Sequence, residues 1–373
     1  MIRAFGHFTA WALILLVLPV CGNARAADPE PIGSTRNSRV AFPIPAGTDA
    51  SARPKLVMLT ASWPPETLAA MRAAAPNVTI IDGLNRESAL AQAAQANAVD
   101  ARLLTPELIA AAPNLVWVAT PSAGIDRLMG VKGLADRDAI VVTNSRAAHG
   151  PAIADHAFAM LLTLTRNMRE HTDKQRQGKW DDADNVTRPM ALQGKTMLVV
   201  GIGGIGEEVA KRANGFGMRV IATRRTDAPA PSFVQKVGKP DELLSMLPEA
   251  DVVAICVPLT KETEKMFDAK AFGAMKKGAI LINVGRGKVV DTSALVAALQ
   301  SGQVGGACLD VTDPEPLPPG HPLWKEPRVI ITPHVSADAD LTEERVRQLL
   351  VENVRRFGAG EPLLNVVDMK TGY

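Results

Sequence analysis

The stretch TMLVVGIGGIGEEVAKRANGFG, residues 196–217, decides the fold. A run of strand-forming residues passes directly into Gly201-Ile202-Gly203-Gly204-Ile205-Gly206, and a helix-forming segment that ends in glycines follows. Three glycines spaced as GxGxxG are a weak signal alone, but a strand before and a helix after are the context in which the spacing has a physical meaning. Gly201 permits the tight turn, Gly203 lets a pyrophosphate approach the backbone, and Gly206 lets the helix pack closely on the sheet, with Gly204 and Ile205 opening that helix. The unpaired N–H groups and the dipole at the helix N-terminus then favour bound phosphate, so the segment predicts a dinucleotide site. An acidic residue about 20 positions on would bond the ribose of NAD. The sequence instead has Thr223-Arg224-Arg225-Thr226. Two guanidinium groups suit a 2′-phosphate, so NADP is the preferred cofactor and NAD the possible one, with Asp227 as the alternative ribose partner.

Outward from this stretch, the chain alternates short aliphatic runs with longer Ala-rich amphipathic segments, the pattern of βα units around a parallel sheet. Candidate strands are LVMLT, VTIID, LVWVAT and IVVTN, then TMLVVG, RVIATR, DVVAICV, AILINV, GACLDV and RVIIT. A helical stretch from about Ala152 to Arg169 separates the two series. The 373 residues suffice for two αβ units with two buried cores. With 41 basic against 39 acidic side chains and 4% aromatic residues, nothing resembles a nucleic-acid surface. The three cysteines, Cys21, Cys256 and Cys308, form no ligand cluster, so neither a metal site nor a disulfide framework is expected, and Cys256 and Cys308 fit buried apolar strands.

Residues 1–26 carry Arg3, an apolar run and Ala24-Arg25-Ala26, the pattern of a secretory signal cut after Ala26. The run from Phe8 to Gly22, about 15 residues, falls short of the roughly 20 that span a bilayer. A periplasmic or secreted protein, free of the membrane after cleavage, is the expectation, and a cytoplasmic one the alternative. Residues 27–54, rich in Pro, Ser, Ala and Gly, have no apolar period and read as a linker.

Three later segments stand at strand ends: Asn283-Val284-Gly285-Arg286-Gly287, the run from Asp310 to Pro316, and Thr332-Pro333-His334. In an open parallel sheet such ends face one crevice. An arginine, a carboxylate and a histidine beside a nicotinamide fit carbonyl reduction. The arginine binds a substrate carboxylate and polarises the adjacent carbonyl, the histidine gives a proton as hydride arrives, and the carboxylate orients the imidazole.

From about residue 100 onward the chain resembles the D-isomer-specific 2-hydroxyacid dehydrogenases, through PSAGIDRL, GIGGIG, CVPLTKET, INVGRGKVVD, LDVTDPEPLP and TPH in family order. The resemblance implies Arg286, Glu315 and His334 as the catalytic trio. It implies Asp310 beside the nicotinamide carboxamide, Gly285 in the cofactor site, and Val257-Pro258 along the adenosine. Ser122-Ala123-Gly124 would give backbone donors to the substrate carboxylate. It also implies two Rossmann-like, doubly wound α/β domains, with a discontinuous substrate domain (55–151 and 335–373) and an inserted NAD(P)-binding domain (152–334). A homodimer with Trp180 in its interface is implied as well. Glu315 argues against the formate dehydrogenases, which carry glutamine there. LPPGHPLWKEPRVIITPH, the arginine pair and VVDMKTGY look most like NADPH-preferring glyoxylate/hydroxypyruvate reductases. Thr312, where the family more often has phenylalanine, and Ser336, where glycine or alanine is commoner, depart from the pattern near the active site.

Among the other histidines, His156 in IADHAFAML reads as structural and hydrogen-bonded, His149 could border the cleft, and His171 and His321 read as solvated. The expected activity is reduction of a small 2-oxo acid to the (R)-2-hydroxy acid. A nucleotide-sensing binding module and oxidation of another small anion such as phosphite remain as alternatives on the same scaffold. Export stands in tension with reduction, because free NADPH is not expected outside the cytoplasm.

Overall fold

The computed structural model describes residues 38–45, 48–180 and 188–370. The expected leader, residues 1–26, lies outside them. Two all-parallel sheets organise the chain. The first holds β1 (Leu56–Leu59), β2 (Val78–Ile81), β3 (Ala98–Asp100), β4 (Trp117–Ala119) and β5 (Val141–Thr143) in the order β2-β1-β3-β4-β5. The second holds β6 (Thr196–Val200), β7 (Arg219–Thr223), β8 (Val234–Gly238), β9 (Val252–Ile255), β10 (Ala279–Asn283), β11 (Val304–Leu309) and β12 (Val329–Ile331), ordered β12-β11-β10-β9-β6-β7-β8. Both orders reverse direction once, between β1 and β3 and between β6 and β9, and such switch points open a crevice beyond the strand carboxyl ends.

Strands buried on both faces explain the near-continuous apolar runs that made most of them legible. In β6, Met197 and Val199 enter one core while Leu198 and Val200 enter the other. In the first sheet, Leu59, Val99 and Val118 face one layer, and Met58, Ala98 and Trp117 the opposite one. Two strands carry no such run and were absent from the expected set. β3 is three residues long inside Ala-rich sequence, and β8 is a largely exposed edge strand of sequence VQKVG.

The helix between the sheets spans Arg146–Thr165, six residues earlier than the sequence places its start, and Pro151 lies inside it. Asn167, in the left-handed region at φ 48°, then separates it from a second helix, Met168–Arg176. A 20-residue helix, Asp340–Ala359, leads the chain back to the first sheet. There Val367 N–H donates to Val142 O (2.9 Å), and Asn365 Nδ2 donates to Asn144 O (3.1 Å).

Within the expected linker, residues 38–45 dock on this first domain. Ser38 Oγ donates to Leu363 O (2.7 Å), Leu363 N–H donates to Arg39 O (3.1 Å), and Val40 forms an antiparallel bridge with Pro362. The Arg39 guanidinium donates to Asp138 O (2.7 Å) and Ile140 O (2.8 Å). Apolar contacts join these bonds, since Ala41 belongs to a core of the first sheet and Phe42 packs against it, but so few apolar residues make no period that announces the docking. Among the described residues, no helix is long and apolar enough to cross a membrane and no cluster of His, Cys, Asp and Glu could hold a metal. Cys308 is buried and Cys256 half-buried; burial pushes both thiols up, that of Cys256 to about 12.

Candidate active site

At the switch point of the larger sheet, β6 ends in Gly201, whose φ of +92° is left-handed and whose Cβ, were there one, would stand 2.5 Å from Val257 Cγ1. Only glycine suits both conditions. Thr223 fixes the turn, accepting from Gly201 N–H through Oγ1 (3.2 Å) and from Ile202 N–H through its carbonyl (2.9 Å). The helix Gly204–Gly215 follows at once, with Gly204 and Ile205 in its first turn. A Cβ at Gly206 would fall 2.2 Å from Gly201 O, so the helix packs as close as a bare backbone allows. A Cβ on Gly203 would meet nothing within 4 Å. The glycine loop therefore leaves an open approach to a helix N-terminus, and these residues fit a dinucleotide pyrophosphate.

The two arginines part company. Arg224 donates from Nε to Ile202 O (2.9 Å), from Nη1 to Ala228 O (2.9 Å) and Pro229 O (2.8 Å), and from Nη2 to Glu207 Oε1 (2.6 Å). It stitches the glycine loop to the end of β7 from a nearly buried position. Arg225 is exposed on the same strand end. A hydrogen bond from Thr260 holds the Glu262 carboxyl below its usual range, and the positive charge of Arg225 adds to the effect. Asp227, the alternative ribose partner, is exposed and paired with Lys239. Val257 packs on Gly201, and the carbonyl of exposed Pro258 accepts from Thr263 Oγ1 (2.7 Å).

Arg286 follows β10. Asn283 locks its backbone, donating from Nδ2 to Arg286 O (3.0 Å) and accepting from Gly285 N–H (3.1 Å). A Cβ on Gly285 would come 2.7 Å from Val257 O, which ties this loop to the glycine loop. The Arg286 side chain reaches the first domain, where Nε donates to Asp126 Oδ2 (2.8 Å), while Nη1 donates to Gly285 O (2.8 Å).

His334 Nδ1 lies 2.7 Å from Glu315 Oε1. A carboxylate there accepts a hydrogen bond from Nδ1–H, which leaves Nε2, without a protein partner among the described residues, for a substrate. The backbone of His334 has φ 57°, and its N–H donates to Asp310 O (2.8 Å) and Thr332 O (3.0 Å). Asp310, 2% exposed, is the hub of this loop. Its Oδ1 accepts from Thr332 Oγ1 (2.7 Å) and Val335 N–H (3.0 Å), and its Oδ2 from Ser336 N–H (3.1 Å). Burial pushes its pKa up, but the hydrogen bonds from Ser336, Thr332 and Val335 outweigh burial and hold it below the ordinary value. Thr332 Oγ1 gives its one proton to that carboxylate. His156 Nε2, 2.9 Å away, must therefore donate to Thr332. His156 is thus tied to the loop that carries His334.

The segment Ser122-Ala123-Gly124 stands beyond β4. Ser122 N–H is taken by Thr120 Oγ1 (3.2 Å), whereas no protein acceptor faces the N–H groups of Ala123 and Gly124 among the described residues. Of the three expected donors, two remain available. Asn144 Nδ2 braces the loop through Ala123 O (2.8 Å). The partner that sequence reading did not assign is Asp126, although it stands inside the PSAGIDRL motif.

The family model for the D-isomer specific 2-hydroxyacid dehydrogenase NAD binding domain matches residues 158–336. A glyoxylate reductase from Korarchaeum cryptofilum is 39% identical over 269 residues, which cover 71% of this chain and 79% of that protein. The crystal structure of a D-isomer specific 2-hydroxyacid dehydrogenase family protein from Aeromonas salmonicida is 32% identical, with a TM-score of 0.72, covering 84% of this chain and 99% of its own. An NADPH-dependent glyoxylate/hydroxypyruvate reductase from Sinorhizobium meliloti, solved with NADP and sulfate, is 27% identical with a TM-score of 0.68, over 86% and 100% of the two chains. The chain belongs to the D-isomer-specific 2-hydroxyacid dehydrogenase family, and is a nicotinamide-dependent oxidoreductase acting on a CH–OH group.

Proposed function

We propose that this protein is an NADPH-preferring reductase of small 2-oxo acids, of the glyoxylate and hydroxypyruvate class, yielding the D-2-hydroxy acid. The observation that carries the reading is the His334–Glu315 pair at 2.7 Å, with an imidazole Nε2 left for substrate. In this reading the substrate carboxylate accepts hydrogen bonds from the N–H groups of Ala123 and Gly124 and from the Nη edge of Arg286. Arg286 also draws electron density from the neighbouring carbonyl. A reduced nicotinamide, when bound, supplies the hydride that reaches C2. His334, protonated at both ring nitrogens, gives its Nε2 proton to the carbonyl oxygen and is left neutral with its Nδ1–H on Glu315, so one C–H and one O–H bond replace the carbonyl π bond. Gly201, Gly203, Gly204, Ile205 and Gly206 would hold the pyrophosphate, Val257 and Pro258 the adenosine side, and Gly285 and Asp310 the nicotinamide side.

The NADP preference rests on Arg225, exposed at the end of β7, with Arg224 bracing the loop behind it. Two solved relatives, from Sinorhizobium meliloti and Xanthobacter autotrophicus, were crystallised with NADP and NADPH. A homodimer is part of the proposal, supported by full exposure of Trp180 in the single chain. So are export through residues 1–26 and the domain boundaries at 151/152 and 334/335.

The test is absorbance at 340 nm with the purified chain beginning at Ala27, NADPH or NADH, and glyoxylate, hydroxypyruvate or pyruvate, with His334→Ala alongside. Turnover favouring NADPH that collapses in the variant is expected. Absence of turnover with every pair, despite cofactor binding, would overturn the 2-oxo acid reading.

A further inference from the structure

Arg286 belongs by its backbone to the larger sheet, yet its guanidinium is fixed by the smaller one. Nε donates to Asp126 Oδ2 at 2.8 Å, and Asp126 opens the short helix Asp126–Met129 of the first domain. The guanidinium is in contact with the loop that ends in Gly124. A Cβ at Gly124 would stand 1.6 Å from Arg286 Nη2 and 2.8 Å from Cζ.

An arginine has five N–H donors. Here one goes to Asp126 from Nε and one to Gly285 O from Nη1. The two on Nη2 and the second on Nη1 have no protein acceptor among the described residues. Nη2 lies against Gly124, and the N–H groups of Ala123 and Gly124 likewise have no protein acceptor among the described residues. The side chains of Arg286 and Asp126 are 29% and 37% exposed, so the pair adds little to stability. Its effect is directional. A guanidinium on a flexible stem samples many rotamers, and an acceptor on Nε selects those that turn the Nη edge toward the loop.

We propose that Asp126 is a positioning residue: it aims the Nη edge of Arg286 at the substrate carboxylate, and because its partner comes from the other domain, it does so only while the two domains are apposed. This rests on the 2-oxo acid reading above. Asp126 touches neither substrate nor cofactor in it and acts through Arg286.

The test compares Asp126→Ala, Asp126→Asn, Arg286→Ala and the double variant Asp126→Ala/Arg286→Ala in the full chain. Steady-state kinetics with glyoxylate, melting temperature, NADPH binding by fluorescence and calorimetric binding of oxalate to the NADP-loaded protein are measured for each. Asp126→Ala is expected to lower kcat/KM by about 10- to 100-fold, chiefly through KM, as a misaimed binding group does. Oxalate affinity should fall in parallel, while NADPH binding and melting temperature stay within error. Asp126→Asn, which keeps an acceptor oxygen, should recover most of the loss. In the Arg286→Ala background, Asp126→Ala should change nothing further.

An unchanged KM and oxalate affinity in Asp126→Ala, or an equal loss without Arg286, would overturn the proposal and leave the reductase reading intact. Wild-type protein that reduces no 2-oxo acid yet binds oxalate through Asp126 and Arg286 would overturn the reading and retain the positioning role. Failure of both turnover and oxalate binding would overturn the two together.

Discussion

The two walls of the crevice are built on different principles. The dinucleotide wall is written in consecutive residues: a strand, three glycines and a helix, each fixed by its neighbours in sequence. The facing wall is assembled from distant pieces. Ala123 and Gly124 come from one domain, Arg286 and His334 from the other, and Asp126 links the halves across 160 positions of chain. The first wall can therefore be damaged locally, whereas the second is exposed to any change in how the domains meet.

The largest expected effect removes the proton donor. His334→Ala should lower kcat by about 10²- to 10⁴-fold, with NADPH binding by fluorescence unchanged; a parallel loss of cofactor affinity would merge the two walls. Next comes Gly124→Ala, whose Cβ takes the place of Arg286 Nη2. It should lower kcat/KM for glyoxylate by about 10²-fold without altering NADPH affinity or the fold seen by circular dichroism. The arginine pair sharpens the first wall. Arg225→Ala should weaken NADPH by about tenfold and leave NADH unaffected, as loss of a guanidinium–phosphate contact does. Arg224→Ala should instead destabilise the protein by about 1–3 kcal/mol in urea titration, because it strips the partner from Glu207 and three backbone carbonyls.

The smallest effect concerns acid. Asp310 is held below its ordinary 3.8 in the folded protein. Its contribution to stability is then complete above that value and is lost as pH falls through the lower folded value. Wild-type protein should thus lose stability more steeply below a pH of about 4 than Asp310→Asn, which starts lower but lacks this dependence. Parallel acid limbs in chemical denaturation would place the loop's acid sensitivity elsewhere.

Much of this was legible in sequence, for reasons that differ by region. The Gly201–Gly206 turn and the buried strands around it announce themselves because backbone geometry and burial restrict which residues fit. Arg286, Glu315 and His334 were singled out by their places at strand ends and the order of motifs; the structure brings Glu315 and His334 together and pairs Arg286 with Asp126. Strands β3 and β8 escaped, one too short and the other too polar to carry an apolar signature. The structural duty of Arg224 was hidden because its acceptors are mostly carbonyls, which every residue has. Asp126 was in plain view inside a motif, but an aspartate at the first turn of a short helix has an ordinary explanation as a helix-end charge. Only the approach of the second domain gives it another.

The strip from Ser38 to Pro45 has a mechanical consequence. The strip is fastened to the domain of the smaller sheet, through a bridge to Pro362 and the grip of Arg39 on Asp138 and Ile140. Force applied along that end of the chain is borne by the smaller sheet. A pull from that side would leave the nucleotide-binding half outside the line of load.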